Sequence, residues 1–264
     1  MKTTSKPPCA SKPPCQLPVA AAFALLLALP AHAATFTLNP SADAFVTTGP
    51  TANLTGNNYG GAGALSVAAP GLANGEFQSV LRFNLSAARA SFDTQFGAGQ
   101  WFIQSITFSL TATSPNNAIF NPSAAGRFGV SWMQNDSWVE GSGTPAAPTT
   151  TGITYSSLAG TFISAGDEAL GTFSFAGGTS GTAAYTLSLT PGFDADATAG
   201  NLVSFRLFAD DNAVSYLSDS RSFGTAGFRP LLTVVAVPEP GTLSLLATGA
   251  ALLLAARSRP RHRQ

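Results

Sequence analysis

The chain has 264 residues, 26 of them glycine and 18 proline, and 10% are charged, which suits one sizeable β domain or two small ones. The formal net charge of zero hides a segregation: three lysines precede the first apolar run, four arginines follow the last, and Ala34 to Pro240 carries six arginines against 13 carboxylates, a net charge of −7. An acidic middle excludes nucleic acid as a partner, and because Cys9, Cys15, His32 and His262 all lie outside it, it also excludes a Cys/His zinc site, a histidine-based triad and a thiol nucleophile.

In chain order, Met1 to Pro14 form a basic leader with Lys2, Lys6 and Lys12. Leu17 to Leu29 follow as an apolar stretch, and Ala31-His32-Ala33 supplies a small-x-small cleavage site. That order predicts a secretory signal over residues 1–33, cut between Ala33 and Ala34. Cys9 and Cys15 precede the apolar run and would leave with it, so a lipid-anchored cysteine is excluded.

Beyond the leader, apolar residues recur with period two. Leu81, Phe83 and Leu85 form one such set, Ile106, Phe108 and Leu110 a second, and Phe128, Val130 and Trp132 a third. Tyr185, Leu187 and Leu189, then Val203, Phe205 and Leu207, continue the pattern, and Leu231 to Val237 reads as a closing strand. These are half-buried strands, separated by turn-rich pieces such as Gly56 to Gly61, Ser114 to Asn117 and Gly177 to Gly181. No stretch carries a helical period. The expectation is all-β: a single β-sandwich of jelly-roll type over residues 34–236.

The last segment, residues 237–264, changes character. Pro238-Glu239-Pro240 leads into an apolar run from Gly241 to Ala256, and Arg257, Arg259, Arg261 and Arg263 close the chain. At about 1.5 Å per residue the run spans on the order of 24 Å, short for a hydrocarbon core of about 30 Å. The basic tail would stay cytoplasmic, placing the acidic domain outside.

Several side chains are candidates for a site. Tyr59, set among Asn57, Asn58 and glycines, and Trp138, between Asp136 and Glu140, are the aromatic platforms on which a sugar face would stack, ahead of Trp101 and Trp132. Arg82 and Arg221 are candidates for an anionic sugar, as is Arg229. Asp43, Asp210 and Asp211 offer the hard oxygen donors of a structural calcium site, with Asp194, Asp196 and Asp219 as further carboxylates. Two such carboxylates at the right separation would alternatively serve glycoside hydrolysis.

Two resemblances add to this reading. The Pro-Glu-Pro lead, short span and arginine tail resemble the PEP-CTERM sorting signal of Gram-negative bacteria. That resemblance implies an exosortase as processing partner, transient residence in the inner membrane through the C-terminal helix, and a final place at the cell surface or in the extracellular matrix. The blocks Asp43-Ala-Phe-Val46, Asn57-Asn-Tyr-Gly-Gly61, Leu65-Ser-Val67, Ser79 to Ser86, Asp136 to Gly141, Gly152-Ile-Thr-Tyr155, Ser220-Arg221 and Phe228 to Leu232 resemble, in order, a DNRLRE-type domain. Departures are the long insertion Ala87 to Gln100 and the segment Thr144 to Thr151. This resemblance implies a carbohydrate-binding-module-like sandwich without catalysis, and hence a protein that binds or organises extracellular polysaccharide. The alternatives are an adhesive biofilm-matrix protein without sugar binding and a carboxylate-based polysaccharide-degrading enzyme.

Overall fold

Strands form where small polar residues alternate with aromatic and β-branched ones, because the pleat sends alternate side chains to opposite faces. A computed structural model describes residues 32–114, 117–239, 241 and 249. In chain order its elements are β1 (Ala34–Leu38), β2 (Ala42–Thr47), β3 (Ala64–Ala68), β4 (Phe77–Asn84), α1 (Ser86–Phe96), β5 (Trp101–Thr111) and β6 (Gly126–Met133). Then follow β7 (Glu168–Phe175), β8 (Thr182–Leu187), α2 (Pro191–Ala199), β9 (Leu202–Ala209), β10 (Ser215–Asp219) and β11 (Leu231–Pro238). The expected signal peptide as far as Ala31, and the apolar C-terminal run apart from Gly241 and Gly249, lie outside the described residues. Among the described residues no helix is long and apolar enough to cross a membrane.

The strands make two antiparallel sheets. The smaller runs β1-β11-β5-β8, and the larger runs β10-β3-β4-β9-β6-β7 with β2 also paired to β4. Their inner faces share one core, where Ile106, Phe108, Leu232 and Val234 meet Leu81, Phe83, Val130 and Phe205. The ring of Phe108 approaches Phe83 at 6.1 Å and Phe205 at 5.9 Å between centroids, both edge to face. The sheets are thus packed face to face. Among β1, β4 to β9 and β11, every link passes from one sheet to the other except that between β6 and β7, which pair with each other.

β1 and β11 pair with Ala34 opposite Ala236, so the chain enters and leaves the domain side by side. β11 also continues past residue 236: Val237 pairs with Phe102 and Pro238 with Trp101, and the Glu239 N–H donates to the Gln100 carbonyl at 2.9 Å. The closing strand therefore takes in Pro238, and Glu239 just beyond it is still tied to Gln100.

The absence of helix expected from the sequence is corrected by α1 and α2. Helix α1 occupies most of the insertion Ala87 to Gln100, and its buried residues are Ala88 and Phe92. Helix α2 buries Phe193 and Ala197. Each has a seam of one aromatic and one alanine four residues apart, enough to seat a helix but too sparse to stand out among surrounding alanines. Local signals were nevertheless present for α2: Pro191 in its first turn, and Gly200 at φ 72° ending it. Glu168 of β7 accepts the N–H groups of Gly192 and Phe193, favourable at a helix N-terminus.

Phe205 is fully buried and touches the rings of Phe83, Phe108 and Phe193. Truncation by Phe205→Ala is expected to cost about 3–5 kcal/mol in chemical denaturation, because the two sheets hold the cavity open. A loss below about 1 kcal/mol would show that this aromatic cluster is not what joins the sheets.

Candidate functional site

The larger sheet is covered on its outer side too. The long connection between β6 and β7 lays Trp138, Ile153 and Leu158 over Ala42, Ala44, Val46 and Val80. On the opposite side of β2, Tyr59 joins Phe45, Phe77, Phe120 and Leu217 in another cluster. Both faces of β2 are consequently buried along its whole length, which erases the alternation expected of a half-exposed strand.

This burial corrects the two aromatic candidates. Tyr59 is 1% exposed and its ring stacks on Phe45 at 4.7 Å and 8°. Trp138 is also 1% exposed, and its Nε1–H donates to Ser204 Oγ at 2.9 Å. Neither ring face is presented to a sugar, since each is worth more to the fold against carbon than against water. Trp101 and Trp132 are buried as well.

The arginine candidates are likewise committed within the protein. Arg82 donates through Nη1 to the carbonyls of Asp136 and Trp138 at 2.8 and 2.9 Å, with its guanidinium 4.9 Å above the Trp138 ring. Arg221 forms a two-pronged pair with Glu140, Nε to Oε1 at 2.7 Å and Nη2 to Oε2. Its backbone N–H donates to Asp43 Oδ2 at 2.7 Å, and the Asp43 N–H donates to Glu140 Oε1 at 3.1 Å. Arg229 donates to the Phe223 carbonyl.

Asn58 is the hub that sequence reasoning did not single out. Its Nδ2 donates to the carbonyls of Glu140 and Ile153, both at 2.7 Å, and its Oδ1 accepts from the N–H groups of Gly60 and Gly143 at 3.2 and 3.1 Å. All four hydrogen-bonding positions of the carboxamide are used. Glycine is required around it: Gly141 has φ +77° and a Cβ there would strike Asn58 Oδ1, while a Cβ on Gly143 would strike the Asn58 carbonyl. Asn58, Glu140, Ile153, Asp43 and Arg221 come from five separate segments of the chain, and here they meet. The available signal was an amide residue in a glycine-rich loop, which reads more readily as a turn than as a hub.

Asp43 does not join Asp210 and Asp211, which corrects the calcium cluster. Asp43 pairs with Leu81 and Leu81 with Phe205, so Asp210 lies five residues farther on, just past the end of β9, or about 16 Å away at strand rise. Asp211 instead accepts N–H groups from Ala213, Val214 and Arg127, which hold its carboxyl below the usual range, and Asp210 faces Arg127 at 3.8 Å. Both organise the turn after β9. Among the described residues no group of three His, Cys, Asp or Glu is placed to hold a metal.

Burial pushes the Asp43 carboxyl up to about 7, with the Arg221 N–H opposing and Glu140 reinforcing. A proton-holding acid beside a second carboxylate is the pattern of a hydrolytic dyad. Asp43 is 1% exposed, however, and its neighbour Glu140 is clasped by Arg221. A glycosidic bond has no approach to the pair. Beside this hub lies an open cleft of about 370 Å³ whose lining includes Asn57, Tyr59, Asn74, Ile119 and Pro145, and a second of about 510 Å³ adjoins it through Ile119 and Pro145. No carboxylate lines either cleft, so they offer amide and apolar contacts rather than acid–base chemistry.

Residues 236–259 match the PEP-CTERM protein-sorting motif. That motif is associated with processing by an exosortase, and it implies export with surface or membrane-associated sorting in a Gram-negative bacterium. No curated protein matches the chain.

Asn58→Ala should cost about 2–4 kcal/mol in chemical denaturation, because buried carbonyls and N–H groups lose their partners. Asn58→Asp should also destabilise, since a carboxylate cannot donate to the Glu140 and Ile153 carbonyls. A neutral result for both would remove Asn58 from its central place. For Asp43, the folded chain retains a proton that the unfolded chain releases near 3.8. Its contribution to stability is therefore full below that value and is lost as the pH rises through about 7. The melting temperature of wild type minus that of Asp43→Asn should fall between pH 4 and about 7.5. Parallel curves would exclude Asp43 as the titrating group.

Proposed function

We propose that this is an exosortase-sorted surface or matrix protein whose non-catalytic β-sandwich binds or organises extracellular polysaccharide. The single observation that carries the sorting half is the match to the PEP-CTERM motif over residues 236–259. Two features of the ends agree with it. The first strand begins at Ala34, directly after the expected signal cleavage, so removal of residues 1–33 leaves every described strand intact. The matched segment begins at residue 236, inside the last strand, so its first residues belong to the folded domain.

The polysaccharide half rests on architecture. With β2, β3 and β10 set aside, β1-β11-β5-β8 faces β4-β9-β6-β7, an order that supports reading the sandwich as a jelly roll, a fold frequent among lectin domains. The convergence of the DNRLRE-like blocks on Asn58 supports a domain of that type. Burial of Tyr59 and Trp138 favours the second reading, an adhesive matrix protein without sugar binding.

Full-length protein in mild detergent should be retarded in affinity gels containing a matrix polysaccharide. Absence of retardation by every neutral and anionic polysaccharide tried would remove the binding half and leave the adhesive reading. For sorting, mass spectrometry of the surface form from its native host should find a C-terminus upstream of Arg257. An intact Arg257 to Arg263 tail on that form would contradict processing.

A further inference from the structure

The four strands of the smaller sheet contain no charged residue: Ala34–Leu38, Trp101–Thr111, Thr182–Leu187 and Leu231–Pro238 are built from apolar, hydroxyl and amide side chains. The other sheet carries Asp43, Arg82, Arg127, Glu168, Arg206 and Asp219 within its strands. The inner face of the smaller sheet is the core, so its outer face is an uncharged surface on a domain of net charge −7.

Pairing places a row of threonines straight across that outer face. Thr37 is opposite Thr233, Thr233 opposite Thr107, and Thr107 opposite Thr186, one from each strand. Neighbouring strands lie about 4.8 Å apart, so four hydroxyl–methyl pairs repeat at that spacing over roughly 14 Å. Thr37 and Thr186 are exposed, Thr107 and Thr233 half-buried. None of the four hydroxyls takes part in a hydrogen bond among the described residues. Thr35, Val235 and Ser105 form a second row on one side, and Leu231, Ser109 and Ala184 a third on the other.

We propose that this face binds a single strand of neutral polysaccharide lying along the threonine row. The inference rests on the polysaccharide-binding reading above and names its ligand class and surface. A pyranose edge presents hydroxyls that donate and accept, as threonine hydroxyls do, and C–H groups that pack on the methyls. An anionic polymer would meet no cation here and would be repelled by the acidic domain. A second copy of the chain fits less well. Four strands of five to eleven residues present a flat area of roughly 480 Å², below the ~800 Å² per partner that a stable protein interface needs. A narrow linear ligand needs no more than this.

The experiment titrates full-length protein in mild detergent with soluble neutral glucan and mannan oligosaccharides and with a polyuronate oligosaccharide. The variants are T37V/T107V/T186V/T233V, which removes the hydroxyls while keeping β-branched strand formers, and Thr107→Glu, which places a charge mid-row. Binding of a neutral oligosaccharide, insensitive to salt and weakened about tenfold or more in the quadruple variant at unchanged melting temperature, is the expected result. Should the quadruple variant fail to fold, the same loss in Thr107→Glu decides the matter. Unchanged affinity in the variants would overturn this surface while leaving the polysaccharide reading in place. Preference for the polyuronate would overturn the neutral ligand class. No binding by wild type to any of the three would overturn both readings together. Self-association in sedimentation, abolished by Thr107→Glu, would assign the face to a second copy instead.

Discussion

A long irregular connection can lie against a sheet only if its buried backbone groups find partners, and in this domain the Asn58 side chain supplies three of them at one point. The Asn58 carboxamide joins the carbonyls of Glu140 and Ile153 to the N–H groups of Gly60 and Gly143. With the chain pinned there, Trp138, Ile153 and Leu158 seal the outer face of β2 and β4. Arg82 ties down the Asp136 and Trp138 carbonyls, and Arg221 links Glu140 to Asp43. Buried polar networks of this kind are favourable only when nearly complete, because each unpaired member in a low-dielectric setting costs more than a pair contributes.

The same network removes the residues first suspected of function from the surface. Sugar-stacking aromatics and buried structural aromatics have the same composition, and both occur beside glycine and asparagine. What separates them is whether another segment arrives on top. Tyr59 meets Phe45, and Trp138 is carried onto the sheet by a connection whose course depends on contacts 56 and 82 residues away in sequence. Asp43, Asp210 and Asp211 look alike as potential oxygen donors, yet register places the first at a different height on the sheet from the others.

The two ends of the domain have a simpler logic. Pairing of Ala34 with Ala236 brings the export end and the sorting end to adjacent strands. Because β11 runs through Pro238 and Glu239 still donates to Gln100, the folded domain and its sorting segment share residues. The sorting segment therefore starts within the core, at the buried Ala236.

By itself the sequence determined the class of the domain, several of its strands and the address at its end. Alternation at Leu81, Phe83, Ile106, Phe108, Val203 and Phe205 is a local property of a two-residue repeat, and Pro238-Glu239-Pro240 followed by an apolar run is a linear signal. Helices α1 and α2 left little trace because a seam of one aromatic and one alanine suffices once a sheet end is there to receive it. Tertiary structure alone decided that Asn58 is a hub, that Tyr59 and Trp138 are core, and that Thr37, Thr233, Thr107 and Thr186 stand in one row. Each of these depends on which distant strands become neighbours and in what register, and a one-residue slip would send the entire threonine row to the other face.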